Sequence, residues 1–234
     1  MKIEEAIPYL EKITGKPFGE LIQRIPDLRL DKGKTGKLLE SLIGLPPSNT
    51  LRDFENGELK TNKANEIGKP LETMFIMQIS KEFDNIIQNL EFKGSRLYKK
   101  ICRCIYVPVC KVGEVEDWYF HPHIYWSLDD DLELLKIISD DYCSIIKQIQ
   151  DHISNSPDGY IHTSSGKFIQ IRTKDAKPYN PIYSHTYRKY VSNKNFAFYF
   201  KKEFMAYLQI KNDYKPWTSH NPKEILRKTI FDYF

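Results

Sequence analysis

Apolar positions along this chain change period several times, and each change predicts an element. From Ile3 to Gly44 the reading is helical: Leu38, Leu39, Leu42 and Ile43 give a helix one apolar face, Gly44 stops it, and Pro46 and Pro47 follow. From Leu51 to Ile79 the pattern turns extended, punctuated by Gly57 and by Gly68 with Pro70, and Thr73–Ile79 reads as a buried strand. Further strands are expected over Ile101–Val109, ended by Pro108, and over Tyr119–Trp126. The clearest helix spans Leu128 to about Ile153. Its apolar stripe is Leu128, Leu132, Leu135, Ile138, Tyr142, Ile145, Ile149 and Ile153, with Ser127 as the expected N-cap and Asp129–Asp131 at the positive end of the dipole. After Pro157-Asp158-Gly159 come short extended pieces, Tyr160–Thr163, Lys167–Arg172 and Phe196–Phe200. Helices followed by strands, a long helix and more strands imply an α/β or α+β domain, with no repeat and no low-complexity linker.

Composition narrows this further. The 234 residues are 41% hydrophobic and 13% aromatic, enough for a folded core and incompatible with a disordered chain. Apolar runs such as Met74–Met77 are strand-sized, far short of the ~18 residues of a membrane span. The start, Met1-Lys2-Ile3-Glu4-Glu5, has acids where a signal peptide has basic and then apolar residues, so a soluble, cytoplasmic protein is expected. The net charge of +4 permits nucleic-acid binding without requiring it; the lysines cluster near 32–37, 60–69, 93–103, 167–177 and 188–202. Cys102, Cys104, Cys110 and Cys143 lack zinc spacing and are too sparse for a disulfide framework, so they are expected as free thiols.

Chemistry concentrates in Leu51-Arg52-Asp53-Phe54-Glu55-Asn56-Gly57-Glu58-Leu59-Lys60-Thr61. If Glu58–Thr61 is a strand, Glu58 and Lys60 share a face, because side chains alternate with period two. Asp53 ends the preceding extended piece, and Gly57 lets the chain turn. Two carboxylates beside one ammonium suit phosphodiester hydrolysis: Asp53 and Glu58 offer hard oxygens to Mg²⁺, and Lys60 can orient or deprotonate a water. Glu-x-Lys is common in a chain this rich in both, and a solvated hairpin is the competing reading. Glu91-Phe92-Lys93, with Asp84 upstream, repeats the pattern in a polar setting; the apolar strand-rich context after Glu58 distinguishes the first copy.

Several ordered motifs then resemble the MutH family, which comprises the mismatch-repair nicking enzyme and GATC-cutting type II restriction enzymes. They are Asp31-Lys32-Gly33-x-x-Gly36-x-Leu38-Leu39-Glu40; Asp53-Phe54 with Gly57-Glu58-Leu59-Lys60-Thr61; Lys69-Pro70-Leu71-Glu72-Thr73-x-Phe75; Tyr106–Val109; Gly166–Arg172 with Lys174; and Phe198–Lys202 with Phe204. The similarity runs from about residue 5 to 210 of one nuclease domain, with 211–234 as a C-terminal extension that could link to a further domain. The resemblance implies a restriction-endonuclease-like fold, a central mixed sheet flanked by helices, with two lobes around a DNA cleft. It implies Mg²⁺ held by Asp53 and Glu58, catalysis by Asp53, Glu58 and Lys60, and a further acid at Glu40. The Asp-to-Glu gap is shorter than in the family pattern, which leaves Glu55 as an alternative to Asp53.

For DNA reading the resemblance implies Arg172, Lys174 and Tyr199, with Lys201 as a further DNA-binding residue and a phosphate contact near the site from Lys99 or Lys100. Arg and Lys can donate to guanine or phosphate, and an aromatic ring can sense an adenine methyl. Tyr179, Tyr183, Tyr187 and Tyr190, interleaved with Lys177, His185, Arg188 and Lys189, form a basic-aromatic stretch that reads as a solvated loop or a nucleic-acid face. His121-Pro122-His123 alternates like a metal pair but has no third ligand in view and is expected as core or surface histidine. The leading expectation is a Mg²⁺-dependent type II restriction endonuclease cutting double-stranded DNA at GATC, a monomer that can pair on DNA. The alternatives are a repair enzyme nicking one strand and a non-cleaving DNA reader.

Overall fold

The computed structural model describes residues 1–217 apart from 25–26, 30–31, 48–49 and 175–176; the tail 218–234 lies outside the described residues. Ile3, Ala6, Leu10 and Ile13 recur at helical spacing and are all buried, which coils the first segment as α1 (Ile3–Ile13). Gly15, at φ 74, and then Pro17 interrupt it before α2 (Phe18–Leu21), and α3 (Lys32–Leu42) closes at Gly44, at φ 73. Among its described residues the helical stretch read from Ile3 to Gly44 therefore contains three helices, with the stop at Gly44 where expected.

The remaining elements are β1 (Glu58–Ala64), β2 (Met74–Gln78), α4 (Phe83–Gln88), α5 (Arg96–Ile101), β3 (Arg103–Cys110), β4 (Tyr119–Phe120), β5 (Ile124–Ser127), α6 (Leu132–Asn155), β6 (Ser164–Ser165), β7 (Ile169–Lys174), β8 (Ile182–Ser184), β9 (Lys189–Ser192), β10 (Asn195–Phe200) and α7 (Lys202–Lys211). Four sequence expectations are corrected. Pro108 does not end its strand: β3 continues to Cys110 in register with β1, because proline lacks only the donor and its carbonyl still accepts the His121 N–H at 2.8 Å. The expected strand Tyr119–Trp126 is split into β4 and β5 around His121-Pro122-His123. The long helix starts later than Leu128, since Leu128 is committed to a backbone bond with the Cys102 carbonyl (2.7 Å); its cap is Asp131, whose carboxylate accepts the Leu134 N–H at 3.1 Å, and Leu132 is left 73% exposed. Tyr160–Thr163 forms no strand, whereas the basic-aromatic stretch contains the antiparallel pair β8–β9.

The chain divides into two compact units. Among the described residues the first comprises 1–72, 104–125 and 208–217. Its sheet is mixed, with β1 parallel to β3 and β4 antiparallel to β3; β5 also pairs with β3. Ile105, Val107, Val109 and Leu59 from this sheet pack with Ala6 and Leu10 of α1 and with Leu39 of α3. The second unit comprises 73–103 and 126–207, around an antiparallel sheet ordered β2-β10-β7-β6. The helix α6 covers it, with Tyr142 stacked on Phe198. This mixture of helices with a mixed sheet matches the expected α+β class. All four cysteines are free thiols. Among the described residues no helix is long and apolar enough to cross a membrane.

Candidate active site and sequence-reading face

In the first unit, the chain before β1 is held at both ends. Phe54 is 3% exposed in the core, which on burial alone stabilises its position by about 2 kcal/mol. The Phe54 N–H donates to the Gly57 carbonyl (2.9 Å), and the Asn56 side chain accepts the Ile3 N–H at the start of α1 (2.9 Å). Asp53 is thereby turned toward β1, where its Oδ2 accepts the Leu59 N–H at 3.0 Å. Glu55 faces the other way: its side chain is 63% exposed, and its N–H donates to the Met1 carbonyl. Of the two acids left open by the sequence, Asp53 is the one beside Glu58.

Glu58 and Lys60 do share a face of β1. Lys60 Nζ donates to Glu58 Oε1 at 2.5 Å, with Glu58 2% exposed. A charge buried this deeply is tolerated when it is paired and hydrogen-bonded. The helix α3 lies on this strand: a Cβ added at Gly36 would stand 3.8 Å from the Thr61 methyl. Glu40, in the last turn of α3, has its carboxyl held above the ordinary range, first by burial and then by the negative charges of Asp53 and Glu58, with Lys37 and Lys60 opposing. Glu40, Asp53, Glu58 and Lys60 therefore belong to one electrostatic cluster.

The donor set suits a hard divalent cation. Asp53 and Glu58 offer carboxylate oxygens, and Mg²⁺ commonly takes only one or two carboxylates and keeps several waters. Among the described residues no group of three or more His, Cys, Asp or Glu converges as a metal cage. His121 is a core histidine: fully buried, its Nε2 lies 2.9 Å from the Asn65 carbonyl, and burial pulls its pKa down to about 4.

The second unit holds the residues implied in sequence reading. Along β7, Ile169 and Ile171 face the core, while Arg172 and Lys174 face out. The Arg172 guanidinium lies 4.6 Å from the Tyr199 ring, and the Lys174 ammonium lies 4.6 Å from the Phe75 ring. The two rings meet edge to face at 5.7 Å. Two cations on an aromatic pair are held in place by about 0.5–1 kcal/mol each. Phe75 is the member of this cluster that sequence reasoning did not single out. Its outward phase on β2, opposite Tyr199, is visible only in the register. Lys201 is turned elsewhere: its Nζ donates to the Gly166 carbonyl at 3.1 Å. Lys99 is exposed and Lys100 half-buried on α5.

The start of β7 is built around a buried carboxylate. Asp141, on α6, accepts the N–H groups of Lys167 (2.6 Å), Phe168 (2.6 Å) and Ile169 (3.0 Å). A Cβ added at Gly166 would stand 2.2 Å from Asp141 Cγ. The Gly166-Lys167-Phe168-Ile169 motif is thus the turn that wraps this carboxylate.

The repeated Asp84/Glu91/Lys93 pattern also has a structural reading. Asp84 accepts the Ser184 hydroxyl (2.6 Å) and the N–H groups of His185 (3.0 Å) and Thr186 (3.2 Å), tying α4 to the β8–β9 hairpin. Glu91 and Lys93 are exposed. Burial works against the Asp84 charge, but these hydrogen bonds outweigh it and hold the carboxyl below its ordinary range. A depressed folded pKa gives stability that is present above the unfolded value and lost as pH falls through the folded one. Hydrogen exchange at the His185 and Thr186 amides should therefore accelerate below the normal aspartate range, and in Asp84→Ala at neutral pH. Unchanged protection in both cases would remove Asp84 as the hairpin anchor.

No family profile matches the chain. Curated relatives named DNA mismatch repair protein MutH do. The Vibrio campbellii protein is 27% identical over 220 residues, 89% of this chain and 93% of that protein. The Haemophilus ducreyi protein is 27% identical over 205 residues, 83% and 87% of the two chains. The Vibrio vulnificus protein is 34% identical over 143 residues, 56% of this chain and 61% of its own. In the Haemophilus influenzae match the chain spans 50% of the relative's length, at 32% identity.

Proposed function

We propose that this chain, similar over up to 89% of its length to proteins named MutH, is a MutH-like, Mg²⁺-dependent, site-specific DNA endonuclease that nicks one strand per visit, in the manner of a mismatch-repair enzyme. The observation that carries the chemistry is the Glu58–Lys60 pair on one face of β1, with Asp53 locked to the Leu59 N–H beside it. Asp53 and Glu58 would hold Mg²⁺, which supplies an acidified water and neutralises charge developing at phosphorus. Lys60 orients that water and adds its positive charge to the transition state. Glu40 contributes a further carboxylate to the field of the cluster. One cluster per chain serves one strand, so a monomer nicks, and two chains pairing on DNA would be needed for a double-strand cut.

The names of the relatives favour the repair reading over the type II restriction reading that led at the level of sequence. The test is digestion of unmethylated, hemimethylated and fully methylated GATC duplexes with Mg²⁺ and with chelator, mapping ends on both strands. Nicks confined to the unmethylated strand support repair. Paired cuts on unmethylated DNA would replace it with the restriction reading, and binding without any cleavage would leave a non-cleaving reader.

Specificity is proposed to come from the outer face of β7. A base-reading lysine should cost ~1–3 kcal/mol at the preferred site, whereas a phosphate contact weakens all sequences about equally. Lys174→Ala is therefore expected to lower cleavage of the preferred site about 10–100-fold with little change in non-specific binding. Tyr199→Phe should alter the response to adenine methylation more than the rate on unmethylated DNA. A folded Lys174→Ala protein with unchanged sequence preference would exclude Lys174 from recognition.

A further inference from the structure

A second cationic, aromatic surface lies on the same unit as Arg172 and Lys174. Between Asp175 and Glu203 the sequence contains no acid, while Lys177, Arg188, Lys189, Lys194, Lys201 and Lys202 fall within that stretch. Three of its tyrosines are exposed, Tyr179 (42%), Tyr183 (42%) and Tyr190 (57%). The Tyr183 ring packs edge-on against both His185 and Tyr190, at 5.2 Å each, forming a short aromatic row across β8 and β9. Arg188, at φ 52, sits in the turn of this hairpin, exposed and with no carboxylate partner among the described residues. Lys177 leads into the hairpin, its ammonium 6.0 Å from the Tyr179 ring. Lys189 is not part of the outward set, since its Nζ donates to the Ile153 carbonyl at 3.2 Å.

This surface is held in shape from behind. Asp84 anchors the turn, and Gln88 donates to the Thr186 hydroxyl at 2.7 Å. Asn195, which pairs with Lys174 across the β10–β7 ladder, accepts the Asn180 N–H (3.0 Å) and donates to the Pro178 carbonyl (3.2 Å). One side chain thus ties the approach to the hairpin to the strand position opposite Lys174. Asp84, the acid that anchors the turn, is engaged by three hydrogen bonds from it. Exposed tyrosines and cations from a stretch of sequence with no acid between Asp175 and Glu203 are complementary to a row of phosphates, which accept hydrogen bonds from Tyr, Lys and Arg alike.

We propose that the β8–β9 hairpin, with Lys177 and Tyr179, is a second DNA contact that takes backbone phosphates of duplex flanking the recognition site. It rests on the endonuclease reading and adds to it a reason for affinity to grow with duplex length. The test compares binding of a GATC duplex of about 12 base pairs, little more than one helical turn, with one of about 40. Both are titrated over a salt series in Ca²⁺ without Mg²⁺. The wild-type protein is expected to bind the long duplex about tenfold more tightly and with a steeper salt slope. In Lys177→Gln with Arg188→Asn, a residue that tolerates positive φ, that gain should vanish and the long-duplex slope fall by about two, at about 0.9 per phosphate contact. Tyr183→Ala with Tyr190→Ala should lose part of the gain while changing the slope little. Short-duplex affinity should stay the same in both variants. Wild-type protein binding both duplexes equally, or variants that keep the gain, would overturn the hairpin proposal and leave the endonuclease reading standing. Wild-type protein that binds neither duplex would overturn both.

Discussion

Lys60→Ala should abolish DNA cleavage, by roughly 10²–10³-fold or more, while leaving DNA affinity nearly intact. Removing one preorganised electrostatic group from a reacting centre typically costs that much. Lys60 is proposed to act on the water and the developing charge, so its loss is expected in kcat more than in binding. The variant leaves Glu58 buried without its ammonium, which lowers stability as well, so two controls separate chemistry from folding. Glu58→Gln preserves the shape of the side chain and removes the charge that would hold Mg²⁺; it should be equally inactive with a smaller change in melting temperature. Glu91→Ala and Lys93→Ala, in the repeated motif, lie on an exposed turn and should cleave at the wild-type rate. Single-turnover cleavage at saturating protein, alongside thermal melting, provides the measurement. Cleavage retained in Lys60→Ala and lost in Lys93→Ala would move the active site away from β1.

Gly166→Ala should be among the most destabilising single substitutions in the second unit. The new methyl would fall 2.2 Å from Asp141 Cγ, and neither neighbour can move cheaply: the carboxylate is held by three N–H donors and the turn continues directly into β7. A loss of about 3 kcal/mol or more is expected, in line with other overpacked buried sites. Asp141→Ala should cost a similar amount by leaving three backbone donors without their acceptor, at about 1–3 kcal/mol for each buried group left unsatisfied. For a chain of this size about 3 kcal/mol corresponds to a fall of about 6–12 °C in Tm. The functional consequence follows from the strand: Arg172 and Lys174 take their direction from β7, so sequence preference should degrade at temperatures where the protein is still folded. Melting within a degree or two of wild type in both variants would show that the turn does not depend on this carboxylate.

The positions that could be read from the chain alone share a property: their structure is set by near neighbours. The stop at Gly44 needs only a positive φ, the strand at Met74–Gln78 only a run of apolar residues, and the shared face of Glu58 and Lys60 only the two-residue period of a strand. The errors cluster where long-range contacts outweigh local preference. Ser127 is a good cap by type, but β5 and the Leu128–Cys102 backbone bond carry the chain past it, and Asp131 takes the role. Pro108 is a strand breaker by type, yet β1 on one side and the His121 N–H on the other keep it in register. The β8–β9 hairpin had no alternating apolar pattern to announce it, because its turn is secured by a carboxylate about 100 residues earlier in the chain.

The sequence by itself determined the α+β class, the residue types of the candidate site and the placement of Glu58 and Lys60 on one strand, since composition, period and motif order are properties of the chain. It could not say which of Asp53 and Glu55 turns toward β1, since they differ by two positions and not in charge; the burial of Phe54 and the Leu59 N–H turn Asp53 that way. Nor could it separate a lysine on the outer face of the sheet from one tied to the backbone. Lys174 and Lys201 are alike in sequence, and only the sheet register and the turn around Asp141 place one over the Phe75 ring and the other on the Gly166 carbonyl. Which residues a side chain meets depends on strands brought together from distant parts of the chain, and that pairing is a tertiary property.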